Sequence, residues 1–117
     1  MDLSNAIAKH SEWKTKLRSA VAKQETLDAA TISKDHCCDL GKWLHWEAKA
    51  NFGNMTSYTE CIKKHAAFHV EAGKVATSIN AKKCAEAEAM LAGGTPYASA
   101  SSAIGVAILH LKKDAGV

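Results

Sequence analysis

Two histidines four residues apart, His65 and His69, are the residues of this chain whose type and spacing best suit metal chemistry. On an α-helix, side chains at positions i and i+4 lie on the same face, one turn apart. Two imidazoles placed in this way reach a single metal ion. The pair alone is a modest signal, because a histidine in a helical core is often only hydrogen-bonded. A metal site therefore needs further ligands from elsewhere in the chain.

Two upstream residues are candidates for these further ligands. His10 falls within the apolar stripe of the first predicted helix, where a polar side chain needs a partner. Cys38 stands near the start of the second predicted helix. Three imidazoles and one thiolate complete a tetrahedral zinc shell. The sequence therefore predicts a Zn²⁺ site formed by His10, Cys38, His65 and His69.

The other histidines and cysteines fit this site less well. Cys61 is the most serious substitute ligand, since it precedes His65 by one helical turn, although it also suits a small core position. Cys37 points about 100° away from Cys38 on a helix, so only one of the two faces the site. His45 follows Cys38 by roughly 10.5 Å along a helix, too far to share its metal. Surface, capping or structural positions are predicted for the remaining ones, His36, Cys84 and His110.

Three residues are predicted to line the metal. Trp13 and Trp43 are expected to wall the site and exclude water, and ordinary core packing is a compatible alternative. Gly41 is unusual inside a helix, where glycine costs about 1 kcal/mol relative to alanine. We interpret this glycine as a point of close approach, where the missing side chain brings another helix and its histidine near the metal.

The elements that position these residues follow from hydrophobic periodicity and turn signals. No strand pattern is present, and the short connections favour antiparallel neighbours. The prediction is an all-α, antiparallel four-helix bundle with one or two short extra helices, forming a single domain over residues 1–117. The helices are predicted at residues 3–24, 36–50, 56 to about 80, 81–91 and 97–114, with one short helical turn allowed within 25–35.

The last predicted helix is apolar on two sides. Ile104, Ile108 and Leu111 form its inner face, while Val106 and Leu109 lie on another side. A wider core face and contact with a second subunit both explain this pattern, and the sequence leaves the two open.

Charge and composition exclude several classes of protein. The net charge is +3 and the lysines are spread along the helices, so no nucleic-acid partner is expected. No apolar run approaches the roughly 20 residues that cross a bilayer, and the N-terminus lacks the pattern of a secretion signal. A cytoplasmic protein without membrane association is therefore expected. Its four cysteines are then predicted to be thiols or metal ligands.

The spaced motifs together resemble a known family. His10-x-x-Trp13, Cys38-x-Leu40-Gly41-x-Trp43 and His65-x-x-x-His69 resemble the chemoreceptor zinc-binding (CZB) domain over nearly the whole chain. The resemblance implies a helical bundle with a three-histidine, one-cysteine zinc site, often as a homodimer. Such domains usually belong to soluble bacterial chemoreceptors or diguanylate cyclases, and respond to zinc or to hypochlorous acid at the cysteine. These 117 residues include no signalling or cyclase domain, so we expect a stand-alone member with such a partner or, alternatively, a fragment of a longer receptor.

The predicted function is that of a bacterial sensory or regulatory domain. It responds to zinc, or to oxidation of Cys38, by a conformational change that carries the signal. The alternative is a structural zinc bundle that serves dimerisation or protein interaction. An enzyme is not expected, because the chain has no His-Glu-x-x-His motif and no carboxylate stands between His65 and His69. Haem fits the cysteine and the histidine pair less well than zinc does.

Overall fold

The computed structural model describes all 117 residues and contains seven α-helices and no strand. The all-α prediction is therefore confirmed. None of these helices combines the length and apolar character needed to cross a membrane. In chain order the helices are α1 (Leu3–Lys23), α2 (Ala29–Ile32), α3 (Asp39–His45), α4 (Glu47–Phe52), α5 (Thr56–Asn80), α6 (Cys84–Met90) and α7 (Pro96–Ala115).

The three long helices, α1, α5 and α7, pack against one another around the apolar core. The inner face predicted for the last helix is confirmed, since all three of its residues are fully buried. Val106 and Leu109 lie on the opposite side of α7 and are more than half exposed. Large side chains with no exposed surface in this core include Phe68, Val75, Ile79, Ile104, Ile108 and Leu111.

Local sequence signals set the ends of the long helices. The Asp2 carboxylate accepts a 3.0 Å hydrogen bond from a backbone N–H of the first turn and begins α1. Thr95 caps α7 in the same way, and Pro96 follows in the first turn, where its missing N–H has no cost. Gly116 takes a left-handed conformation, with φ of 72°, and ends α7.

The short helix α2 is fixed along α5 by contacts at both of its ends. The Asn80 side chain accepts a 2.7 Å hydrogen bond from the Leu27 N–H and donates one of 2.8 Å to the Leu27 carbonyl. At the other end, a Cβ on Gly73 would lie 2.6 Å from the Ser33 Cβ, so only glycine admits α2 this closely. The residues that follow α2 are thereby delivered next to α5.

The second predicted helix is wrong in two respects. It begins at Asp39, and it is interrupted at Trp46 to give α3 and α4. Cys38 precedes the helix with an extended backbone, at φ of −84° and ψ of 164°. At the interruption the Leu44 carbonyl accepts a buried 2.7 Å hydrogen bond from the Tyr58 hydroxyl. This tertiary contact takes the place of a helical hydrogen bond, which is why local periodicity gave no sign of the break.

Candidate metal centre

Four side chains from three separate segments meet inside the fold. His10 lies on α1, His65 and His69 lie on α5, and Cys38 lies just before α3. One donor atom from each residue comes within 4.8 Å of the donor atoms of the other three. The three histidines are buried and the cysteine is partly buried. The structure thus brings together the four residues that the sequence singled out.

Three of the four donors are spaced as they would be in a zinc shell. The Cys38 Sγ lies 3.2 Å from the His65 Nε2 and 3.5 Å from the His69 Nε2. The two Nε2 atoms are 3.1 Å apart. Tetrahedral zinc, with Zn–N of about 2.0 Å and Zn–S of about 2.3 Å, separates two nitrogens by about 3.3 Å and nitrogen from sulfur by about 3.5 Å. These three donors therefore already have the spacing of zinc ligands, and the His10 donor lies within 4.8 Å of them.

Two of the imidazoles are oriented by backbone carbonyls. The Nδ1 of His10 donates to the Ala6 carbonyl, and the Nδ1 of His69 donates to the Ile32 carbonyl, both at 2.8 Å. A carbonyl only accepts, so the proton resides on Nδ1 and leaves a lone pair on Nε2. The His10 Nε2 is buried and has no hydrogen-bond partner. A metal ion bound among the four donors would satisfy this nitrogen.

The electrostatics of the buried imidazoles favour metal over protons. Burial, together with the neighbouring His69 and His10, lowers the pKa of His65 to about 3. Burial also lowers the pKa of His10 and of His69. Neutral imidazole is the form that ligates a metal. All three rings are therefore in the ligating state at neutral pH.

The thiol of Cys38 sits at the start of α3. Burial raises its pKa, although the Gly41 N–H, which donates to the sulfur at 3.3 Å, favours the thiolate. Without metal the residue is therefore a neutral thiol at neutral pH. Zinc binding would displace its proton, since the thiolate is the metal ligand.

Gly41 does allow another part of the chain to pack closely, but that part is not the predicted one. A Cβ at this position would overlap the Asp35 carbonyl oxygen and come within 3.0 Å of the His36 Cα. The neighbour is therefore the backbone of the segment that leads into Cys38, and no histidine of another helix is involved. The prediction erred because it treated the glycine as lying in the middle of a longer helix.

The two tryptophans predicted to line the metal occupy different surroundings. Trp13 lines a cavity of about 600 Å³ together with His10 and Cys38. The cavity opens between α1 and the segment that precedes α3. Trp43 packs against Phe52, with ring centroids 6.2 Å apart, and is partly buried at the edge of the core. Of the two, Trp13 is the one beside the cavity that leads to the donors.

The remaining cysteines and histidines lie outside the group of four donors. Cys61 is fully buried in the apolar core, and burial raises its pKa to about 12, which suits the interpretation as a small core residue. Cys37 is exposed on the cavity wall. Cys84 is partly exposed at the start of α6, and His36 and His110 are exposed.

Sequence reasoning missed one charged residue beside the centre. The Asp35 carboxylate lies 2.9 Å from the His45 Nε2. Partial burial raises the pKa of Asp35, but the hydrogen bond and the charge of His45 act against it, and the pKa of Asp35 is lowered overall. Its negative charge offsets part of the lowering of the pKa of His65 and His69. In the sequence, Asp35 shows only as a capping residue, because a bond to a side chain ten positions away has no local signature.

The comparison with known families agrees with this geometry. The family model for the chemoreceptor zinc-binding domain (CZB) matches residues 10–76, more than half of the chain, and this span contains all four donors. No curated protein and no solved structure matches the chain. The family binds zinc by its description, and the donors found here suit zinc in both identity and spacing. The chain belongs to the chemoreceptor zinc-binding domain family.

Proposed function

We propose that this domain is a zinc-dependent sensory or regulatory module in which His10, Cys38, His65 and His69 hold the ion. The observation that carries this proposal is the convergence of four soft donors, from three segments, within 4.8 Å of one another. The unpaired Nε2 of His10 supports the same assignment, because a buried nitrogen without a partner is costly.

We further propose that the whole chain, residues 1–117, acts as one domain built on a four-helix plan. The helices α3 and α4 together would take the fourth position beside α1, α5 and α7. Leu44 and Ala48 support this view, since both are fully buried and join the same core as the long helices. In this arrangement Trp13 forms one wall of the cavity that leads to the metal, Gly41 lets the ligand segment pack against α3, and Trp43 anchors α3 on α4.

Sensing would follow from the way zinc joins the three segments. With zinc present, the segment before α3 is bound to α1 and α5 through Cys38. Binding energy at such a site is also folding energy, so loss of zinc releases this segment. A partner or a second subunit that contacts α3 or α1 would then meet a different population of conformations.

A response to oxidants would act through the same residue. Cys38 is the one oxidisable ligand, and oxidation to sulfenic or sulfinic acid weakens a sulfur ligand. The cavity beside Trp13 reaches Cys38 and supports access by a small oxidant such as hypochlorous acid. The output would pass to a chemoreceptor or a diguanylate cyclase in the bacterial cytoplasm, with the domain as a homodimer.

A purely structural zinc bundle for dimerisation is the second candidate. It is favoured by the saturated donor set, since four protein ligands leave no open position on zinc. The exposed Val106 and Leu109 on α7 are the surface such a dimer would cover. The saturated shell also argues against catalysis, which needs a free position for water or substrate.

Zinc content tests the ligand assignment. Elemental analysis of the purified protein should give one equivalent of zinc, and His65→Ala and Cys38→Ala should lose it. His110→Ala and Cys84→Ala remove the same chemical groups outside the site and should retain the metal. Unchanged zinc in both ligand variants, with circular dichroism showing intact helices, would refute the assignment.

Affinity and oxidation then separate the sensor from the structural bundle. Competition with chelators should place the dissociation constant within the range over which cellular free zinc varies, whereas a structural ion would not exchange. Hypochlorous acid should release zinc from the wild type and should release less zinc from Cys38→Asp, which lacks the thiol. Equal release from both proteins would argue against the cysteine as the oxidant-sensitive ligand.

A further inference from the structure

The cysteine that precedes the ligand has no role in the metal centre. Cys37 is adjacent to Cys38 in sequence, yet it is exposed and does not belong to the group of four donors. Both cysteines line the same solvent-connected cavity, together with Trp13 and Lys9. An oxidant that reaches Cys38 through this cavity therefore meets a second thiol at the same place.

The backbone around this pair is free of helical restraint. Residues 34–38 belong to no helix, and Cys37 makes no backbone–backbone hydrogen bond. Cys38 takes part in the first turn of α3 only through its carbonyl and its sulfur. The peptide groups between residues 36 and 37 and between residues 37 and 38 can therefore rotate without breaking a helical hydrogen bond.

We propose that Cys37 is a resolving cysteine, which forms a disulfide with Cys38 after Cys38 has been oxidised. The inference rests on the proposed function, because it takes Cys38 as the oxidant-sensitive ligand. It adds a modification site at Cys37 and makes the response reversible. The oxidant is of the hypochlorous acid class, which removes two electrons in one encounter.

The chemistry balances in two steps. The Cys38 sulfur attacks the chlorine of hypochlorous acid, which forms an S–Cl bond and releases hydroxide. The Cys37 sulfur then attacks the Cys38 sulfur, so that an S–S bond forms, the S–Cl bond breaks and chloride leaves. The Cys37 thiol gives its proton to the hydroxide. Cys38 reacts as the thiolate, so one thiolate and one thiol lose two electrons in total, and the oxidant is reduced to chloride and water.

The closeness of the two cysteines makes the product easy to reverse. Cα atoms of neighbouring residues are about 3.8 Å apart, whereas disulfides usually join Cα atoms roughly 4.4–6.8 Å apart. A bond between adjacent cysteines is therefore strained, and strained disulfides are readily reduced. A cysteine without a resolving partner would instead proceed to sulfinic acid, which thiol reductants do not reverse.

Mass spectrometry of one tryptic peptide tests the proposal. Cleavage after Lys34 and Lys42 yields residues 35–42, which contain Cys37 and Cys38 and no other cysteine. The zinc-loaded wild type, Cys84→Ser and Cys37→Ser are each treated with two equivalents of hypochlorous acid, enough to carry a lone thiol to sulfinic acid. The wild type and Cys84→Ser should give this peptide two hydrogen atoms lighter. They should rebind their zinc after reduction.

The Cys37→Ser variant provides the contrast. Since Cys37 is exposed, serine should leave folding and the zinc content of the untreated protein unchanged. Its oxidised peptide should gain two oxygen atoms at Cys38, and reduction should not restore zinc binding. The proposal is overturned if the wild-type peptide carries the same two oxygens, or if oxidation yields a disulfide between two chains.

The same measurements distinguish failure of the inference from failure of the proposed function. A wild type without zinc, or one that keeps its zinc when Cys38 is oxidised, contradicts the proposed function and leaves the peptide masses to decide on the disulfide. A wild type that releases zinc on oxidation but shows no disulfide in residues 35–42 contradicts the inference alone.

Discussion

The three imidazoles and the thiol of the metal centre are supported in different ways. His10, His65 and His69 lie well inside long helices, and two of these rings are further fixed by backbone carbonyls. Cys38 lies at the end of the short segment between α2 and α3, in which residues 35–37 make no backbone–backbone hydrogen bond. The three histidine donors are therefore rigidly held, whereas the cysteine donor lies on a segment that can adjust. We call these the rigid side and the adjustable side of the centre.

The contacts that hold the cysteine segment without metal are modest. The pair of Asp35 and His45 is partly exposed, and such pairs contribute at most about 1 kcal/mol. The Gly41 N–H adds one hydrogen bond to the sulfur. Zinc would therefore be the main restraint on this segment, whereas α1 and α5 are also held by the apolar core.

Removal of zinc should produce the largest effect and should separate the two sides of the centre. Zinc at about 1,000 times its dissociation constant stabilises the folded state by about 4 kcal/mol, which chelation should remove from the free energy of unfolding. Hydrogen exchange should rise first in residues 33–45 and last in α5. Urea unfolding with and without chelator, followed by exchange mass spectrometry, measures both. An equal rise across α5 would contradict the contrast between the two sides.

Acid should destabilise the metal-free protein by a somewhat smaller amount, through the rigid side. The pKa of His65 is about 3 in the folded state and 6.5 when unperturbed, so the unfolded chain binds the extra proton below pH 6.5. The contribution of neutral His65 to the free energy of unfolding is therefore fully present above pH 6.5. It falls as the pH decreases towards 3, with a loss on the order of 3 kcal/mol by pH 4. The lowered pKa values of His10 and His69 act in the same direction.

Two variants examined by urea unfolding at several pH values check this acid dependence. His65→Gln removes the most strongly shifted group and should flatten the curve between pH 6.5 and 4. His110→Gln removes an exposed histidine and should leave the curve unchanged. The interpretation would fail if both variants followed the wild type.

The same contrast explains what was predictable from the sequence. The helices that carry His10, His65 and His69 were predicted nearly to the residue, because a long amphipathic helix repeats its pattern over many turns. The interruption at Trp46 and the capping position of Cys38 were missed. Both depend on contacts made by the tertiary structure, such as the bond from Tyr58 to the Leu44 carbonyl, which leave no periodic trace.

Gly41, which lies in α3 and packs against the backbone of the cysteine segment, gives the smallest and most local test. Gly41→Ala gains about 1 kcal/mol in helix propensity. Its Cβ would overlap the Asp35 carbonyl oxygen, however, and a clash of this kind costs about 1–3 kcal/mol. We expect a net loss of about 1 kcal/mol in unfolding free energy and weaker zinc binding, because the segment that must move carries Cys38.

Gly105→Ala is the matched control on α7, where a Cβ meets no atom within 4 Å. This substitution should stabilise the protein by up to about 1 kcal/mol and leave zinc affinity unchanged. The two identical substitutions thus differ only in whether the added methyl group displaces the cysteine segment. If Gly41→Ala bound zinc as tightly as Gly105→Ala, the position of this segment would not control the metal, and the adjustable side of the centre would have to be sought elsewhere than residues 34–38.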